Sequence, residues 1–131
     1  MEKALEIAFQ RLEKALQALE QIVNKPMETD RSNIDASIQR FEFSIELFWK
    51  VLKKIIESQG GKASFPKEVF GQAYEAELID DEKMWLQMLN DRNQTLHTYD
   101  EELANRIYEN IKSYSPFMTK TFIQLKQKFL N

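Results

Sequence analysis

The strongest constraint on the fold is a repeat of large apolar residues in the middle of the chain. Ile34, Ile38, Phe41, Ile45, Phe48, Leu52 and Ile55 recur at alternating spacings of four and three. That alternation keeps every member on one stripe of an α-helix and scatters them over both faces of a strand, so a helix is the element that buries them together. Ser32-x-x-Asp35 resembles a capping box at its start, with Asp30 as an alternative cap. The glycine pair Gly60-Gly61 stops the helix near Ser58. Phe43, Leu47, Trp49, Val51 and Ile56 lie off the stripe. A second apolar face on one helix asks for a second partner, either another helix of the same bundle or another subunit.

The flanking segments supply such helices. Leu5, Phe9, Leu12, Leu16, Leu19 and Val23 form a stripe over residues 2–24, with Ala4, Ala8, Ala15 and Ala18 beside it to admit a close neighbour. Asn24-Lys25-Pro26 ends this helix. Phe65-Pro66 opens a short helix to about Ala76, packed through Val69, Phe70, Ala73 and Tyr74. Asp80 or Asp81 caps a further helix whose apolar side is Trp85, Met88 and Leu89, joined by Met84 or Leu96. From Glu101 to Leu130 the pattern is one helical stretch interrupted at Pro116, with Ser115 as a cap for the continuation. Leu103, Ile107, Ile111 and Tyr114 stripe its first half, and Met118, Phe122, Leu125 and Phe129 its second. Four main helices with one short extra helix predict an all-α, up-and-down four-helix bundle.

Composition narrows the chemistry. With three Gly, three Pro and 30% charged residues in 131, the chain has the make-up of one helical domain, 1–131. No apolar run approaches the ~20 residues that cross a bilayer, and the start has no signal-peptide pattern, which predicts a cytoplasmic protein. Zero cysteines and a single histidine exclude disulfides, thiol catalysis and a His- or Cys-rich metal cluster within one chain. No cofactor is implied. A formal net charge of −3 argues against a broad electrostatic grip on nucleic acid and leaves room only for a small basic site. Lys120, Lys126 and Lys128 near the end are more simply a solvated basic face than a phosphate site.

The candidate chemistry lies in Arg92-Asn93-Gln94-Thr95-Leu96-His97-Thr98-Tyr99. Histidine exchanges protons near neutrality, and the planar arginine fork matches phosphate oxygens. A lone histidine is more often structural or solvated, and Arg92, close to Asp91, Asp100 and Glu101, is by default one arm of a surface ion pair. On a continuous helix Asn93 and His97 share a face, whereas Arg92 and His97 diverge by about 140° yet both reach a phosphate across the helix end. Thr98 and Asp100 compete to cap the next helix, placing His97 and Tyr99 at an exposed junction.

Arg92-Asn93 followed by His97 and Tyr99 resembles the Arg-x4-His-x-Tyr signature of HepT-like proteins within the HEPN superfamily. Phe41-Glu42-Phe43, Leu47-Phe48-Trp49-Lys50 and Tyr74-Glu75-Ala76 are similar to the nucleotidyltransferase substrate-binding protein family. The resemblance implies a helical homodimer and a metal-independent ribonuclease, the toxin of a toxin–antitoxin pair. In that reading His97 moves protons at the 2′-hydroxyl or the leaving oxygen, Arg92 stabilises the phosphorane, and Asn93 holds the phosphate or orients the histidine. It further implies a small nucleotidyltransferase, encoded nearby, that silences the toxin by adenylylating Tyr99. A two-fold axis beside this stretch would set two arginines and two histidines around one cleft for RNA. The alternative is a non-catalytic subunit that completes a minimal nucleotidyltransferase, in which Arg92 and His97 bind or support.

Overall fold

The computed structural model describes residues 2–26 and 31–130. They form α1 (Glu2–Val23), α2 (Ser32–Ser58), α3 (Pro66–Glu75), α4 (Glu82–Asn93), a 3₁₀ turn (Thr95–His97) and α5 (Glu101–Phe129). No strand occurs among the described residues. The all-α bundle expected from the apolar stripes is the fold. The long helices α1, α2 and α5 pack on one another, α4 completes the bundle, and α3 is the short extra helix between α2 and α4. No described helix is long and apolar enough to cross a membrane.

All seven stripe residues of α2 are buried, from Ile34 to Ile55. The second face divides: Val51 and Ile56 are buried on the helix that α3 and α4 pack against, whereas Phe43 remains 57% exposed. Part of the demand for a second partner is therefore met inside the chain. In α1 the burial ends on Ile22, outside the expected stripe, and Val23, its expected last member, is only half-buried.

The helix ends follow backbone hydrogen bonding. After α2, Gly60 takes φ +89°, its N–H bonds the Glu57 carbonyl, and the Gly61 N–H reaches the Ile56 carbonyl at 3.0 Å. This is the paired bonding of a Schellman end, as the twin glycines suggest. The same motif closes α3 with Glu77 (φ 60°) in the left-handed position, where glycine is the usual occupant. At the start of α2 the expected capping box is displaced. Ser32 is already helical, and left-handed Arg31 (φ 67°) precedes it without a side-chain cap bond. Asp30, the other candidate, lies outside the described residues.

Two further expectations are corrected. Tyr74 is 47% exposed instead of packing under α3. And α5 runs unbroken through Pro116 for 29 residues. Pro116 and Lys112 are both exposed, so the carbonyl that loses its partner faces water, while Tyr114, Ser115 and Met118 are buried on the inner side. Burial on the inner face outweighs one solvated hydrogen bond.

Trp85 fixes where α4 sits. Its ring lies 4.5 Å from Phe48 of α2, 5.3 Å from Phe70 of α3 and 5.6 Å from Phe117 of α5, measured between centroids. Removing it opens a cavity that three helices line. Trp85→Ala should destabilise the fold by about 3–5 kcal/mol, read as a lowered denaturant midpoint. A loss of stability below ~1 kcal/mol would show that α4 is held by something else.

Candidate active site

Helix α4 begins at Asp81, whose carboxylate accepts from the Met84 N–H, and ends at Asn93. The chain then makes a single 3₁₀ turn through His97 before Asp100 caps α5, accepting from the Glu102 and Leu103 N–H groups. Of the two competing caps Asp100 prevails, and the junction falls where the cap signals put it. Because α4 stops at Asn93, the continuous-helix geometry relating Asn93 to His97 does not apply.

The junction brings the four singled-out residues to the surface. His97 and Asn93 are exposed, and Tyr99 is 83% exposed, so Tyr99 is not a core residue. The His97 and Tyr99 rings meet edge to face, 6.0 Å between centroids. Arg92 does form an ion pair, but its partner is none of the neighbouring acids. Its Nη2 donates to Glu46 Oε2 of α2 at 2.9 Å, and Nη1 lies 3.5 Å from the Asn93 side-chain oxygen.

Helix α2 supplies the other wall. One turn before Glu46, Glu42 faces Thr95: the Thr95 hydroxyl lies 2.8 Å from Glu42 Oε2 and 2.7 Å from the Arg92 carbonyl, both acceptors for its one proton. Asp35, Gln39, Glu42, Thr95 and Thr98 border a shallow hollow of about 370 Å³. Glu46 thus engages the guanidinium, and an anion approaching Arg92 competes with that carboxylate. A separate apolar cleft of about 460 Å³, between Val23 of α1 and Pro116 and Ile123 of α5, contains none of these groups.

Behind the junction lies a polar cluster in the core. Asp91 is 1% exposed. Its Oδ2 accepts from the Tyr114 hydroxyl at 2.6 Å and from Asn110 Nδ2 at 2.9 Å, while Arg106 Nη1 stands 3.6 Å from Oδ1. Gln87 Nε2 donates to the Tyr114 oxygen at 2.9 Å. Burial lifts the Tyr114 hydroxyl well above its ordinary range, and the Asp91 carboxylate pushes the same way. Tyr114 therefore remains a proton donor. A buried carboxylate is tolerated only when its oxygens are satisfied, and here α5 satisfies them. The cluster ties the last turn of α4 to α5 one residue before Arg92.

A family model described as nucleotidyltransferase substrate binding protein like matches residues 7–127. The chain is a HepT-like member of that family. Among relatives of this HepT-like chain, a Haemophilus influenzae protein named probable ribonuclease HepT is 32% identical over 101 residues, 72% of this chain and 68% of the relative. A crystal structure of a Thermus thermophilus protein superposes with a TM-score of 0.81 at 35% identity, covering 88% of this chain and 98% of that one. A second structure, from Haemophilus influenzae and described as the fold of a substrate-binding domain of a nucleotidyltransferase, gives a TM-score of 0.66 at 27% identity, covering 97% and 100%.

Sequence reasoning missed the contacts of Glu42, Glu46, Asp91 and Arg106 around the junction of this HepT-like chain. Glu42 and Glu46 carry a faint signal, as carboxylates one turn apart beside an apolar stripe. Asp91 carries none, since a charged residue in an acidic stretch reads as exposed.

Two variants test the buried cluster. Asp91→Ala strands the Tyr114 hydroxyl and the Asn110 amide and should cost about 3 kcal/mol, whereas Tyr114→Phe should cost about 1–2 kcal/mol. Above pH about 10 an unfolded tyrosine loses its proton, while folded Tyr114 keeps its own. Stability contributed by this group is complete below that pH and falls as pH rises beyond it. The stability gap between wild type and Tyr114→Phe should therefore narrow in alkali, measured by urea denaturation at pH 8 and above 10. A gap independent of pH would count against the cluster.

Proposed function

We propose that the chain is a metal-independent endoribonuclease that cleaves RNA through the 2′-hydroxyl, working as a homodimer. The observation that carries this reading is the exposed His97 at a helix junction beside Arg92 and Asn93, in a chain similar to a protein named ribonuclease HepT. The 2′-oxygen attacks phosphorus as its proton passes to an imidazole, and the P–O5′ bond breaks as the leaving oxygen takes a proton. The products are a 2′,3′-cyclic phosphate and a 5′-hydroxyl. Arg92 stabilises the charge on the equatorial oxygens, and Asn93 holds the phosphate or orients the histidine. In-line attack sets the 2′-oxygen and the leaving 5′-oxygen on opposite sides of phosphorus, so two imidazoles serve base and acid better than one. A cleft shared across a two-fold axis supplies two. Phe43, Leu96 and Tyr99, exposed by 57%, 83% and 83%, offer apolar surface for that contact.

In this reading the ribonuclease is a toxin whose partner is a small nucleotidyltransferase. The Tyr99 oxygen attacks the α-phosphate of ATP, pyrophosphate leaves, and a bulky anion two residues from His97 obstructs the cleft and engages Arg92. The exposure of Tyr99 supports the assignment. A second reading, a non-catalytic substrate-binding subunit of a nucleotidyltransferase, is favoured by the Arg92–Glu46 ion pair, which occupies the cation otherwise needed for phosphate.

His97→Ala and Arg92→Ala should each lower cleavage by on the order of 10²–10⁴ without unfolding the chain. Cleavage should persist in EDTA and leave cyclic phosphate ends. No cleavage by the wild-type dimer would favour the subunit reading, and unchanged cleavage in both variants would remove these residues from the mechanism. Tyr99→Phe should cleave normally yet resist silencing by the nucleotidyltransferase and ATP. Mass spectrometry should find the adenylyl group on Tyr99 and not on buried Tyr108 or Tyr114. Sedimentation should give a dimer mass, and a monomer at all concentrations would end the shared-cleft proposal.

A further inference from the structure

The buried Asp91 cluster holds a cation that the proposed chemistry leaves unused. Tyr114 (2.6 Å) and Asn110 (2.9 Å) both donate to Asp91 Oδ2, which leaves Oδ1 turned toward Arg106. Arg106 stands farther off, 3.6 Å from Asp91 Oδ1 and 3.5 Å from the side-chain oxygen of Gln94. Those separations are too long for strong hydrogen bonds, so the carboxylate attracts the guanidinium without consuming its donors. The Arg106 side chain is 52% exposed, against 39% for Arg92, which is engaged with Glu46 at 2.9 Å. Gln94 is the C-cap of α4, between Arg92 and His97 in the chain. Beyond the two nitrogens directed at Asp91 and Gln94, the five-donor guanidinium of Arg106 keeps further N–H groups beside the junction, on the side where α5 packs.

We propose that Arg106 is a second anion-contacting residue of this site, gripping a backbone phosphate next to the one that is cleaved, with Asp91 as the residue that positions it. The substrate class follows from the arrangement: a single polyanionic strand touched at two points, not a duplex held along a basic face. Glu42 and Glu46 on α2, and Asp100, Glu101 and Glu102 at the start of α5, repel a strand laid elsewhere on this end of the bundle. The inference rests on the RNA reading above. Mechanistically it separates binding from chemistry, because Arg106 touches a phosphate that does not react.

The test measures binding and turnover separately. A labelled single-stranded RNA oligonucleotide is titrated with full-length protein in a His97→Ala background, and cleavage kinetics are followed with His97 intact. Arg106→Gln should weaken binding about tenfold and lower the slope of log affinity against log salt by about one, with kcat within about twofold of wild type. Arg106→Lys should recover most of the affinity, and Arg106→Glu should lose more than Gln. Lys126→Ala, about 30 Å along α5, is the control and should bind as wild type. Equal melting temperatures for the Gln and Lys variants, with only Lys binding, exclude a purely structural role. Unchanged affinity and salt slope in Arg106→Gln would overturn the proposal even if Arg92→Ala and His97→Ala abolish cleavage. RNA that is bound, weakened by Arg106→Gln and yet never cleaved would keep Arg106 and discard the ribonuclease reading. No RNA binding by the wild type would overturn both.

Discussion

The position of α4 depends on the burial of one indole ring. Trp85 contacts an aromatic ring from each of α2, α3 and α5, so the helix that carries Arg92 is located by packing against three neighbours at once. Aromatic groups bury large areas and have preferred ring geometries, which makes such a contact both strong and directional. Everything at the far end of α4 inherits its placement from this contact. The junction residues themselves add little, because most of them are exposed.

A second restraint acts two turns later. The Asp91 carboxylate is buried and hydrogen-bonded to α5, so rotating or sliding the end of α4 would break bonds to a charged group. Isolating a buried charge costs several kcal/mol, more than most surface contacts contribute. Adjacent side chains on a helix point about 100° apart, so fixing Asp91 toward α5 directs Arg92 toward α2 and Glu46. One buried acid therefore orients an exposed base. The junction side chains can remain accessible because the rigid part lies beneath them.

The electrostatics of the junction set the terms for any phosphate ligand. Arg92 meets Glu46, Thr95 meets Glu42, and the start of α5 is acidic. A ligand must displace a carboxylate before it gains the arginine, so tight binding without further contacts is not expected. A chain with a formal charge of −3 has no long-range field to draw nucleic acid in. Any phosphate ligand would have to be held by a few short-range contacts, made where the cations are held in place.

The sequence by itself determined the helices, the stripes that bury them and the junction at which α4 yields to α5. These are properties of local periodicity, caps and glycines, which act within a few residues. The chain also disclosed its HepT-like kinship, through Arg92, His97 and Tyr99 and the pattern before them. It did not disclose that Arg92 pairs with Glu46, that Asp91 is buried, or that α5 continues through Pro116. Each of those depends on which residue distant in sequence stands opposite: Tyr114 and Asn110 satisfy Asp91, and Glu46 lies 46 positions from Arg92. Packing around Pro116 likewise overrides a local break signal. Only the tertiary structure decides such matters, because burial changes the cost of a charge or a missing hydrogen bond, and burial is set by the whole bundle.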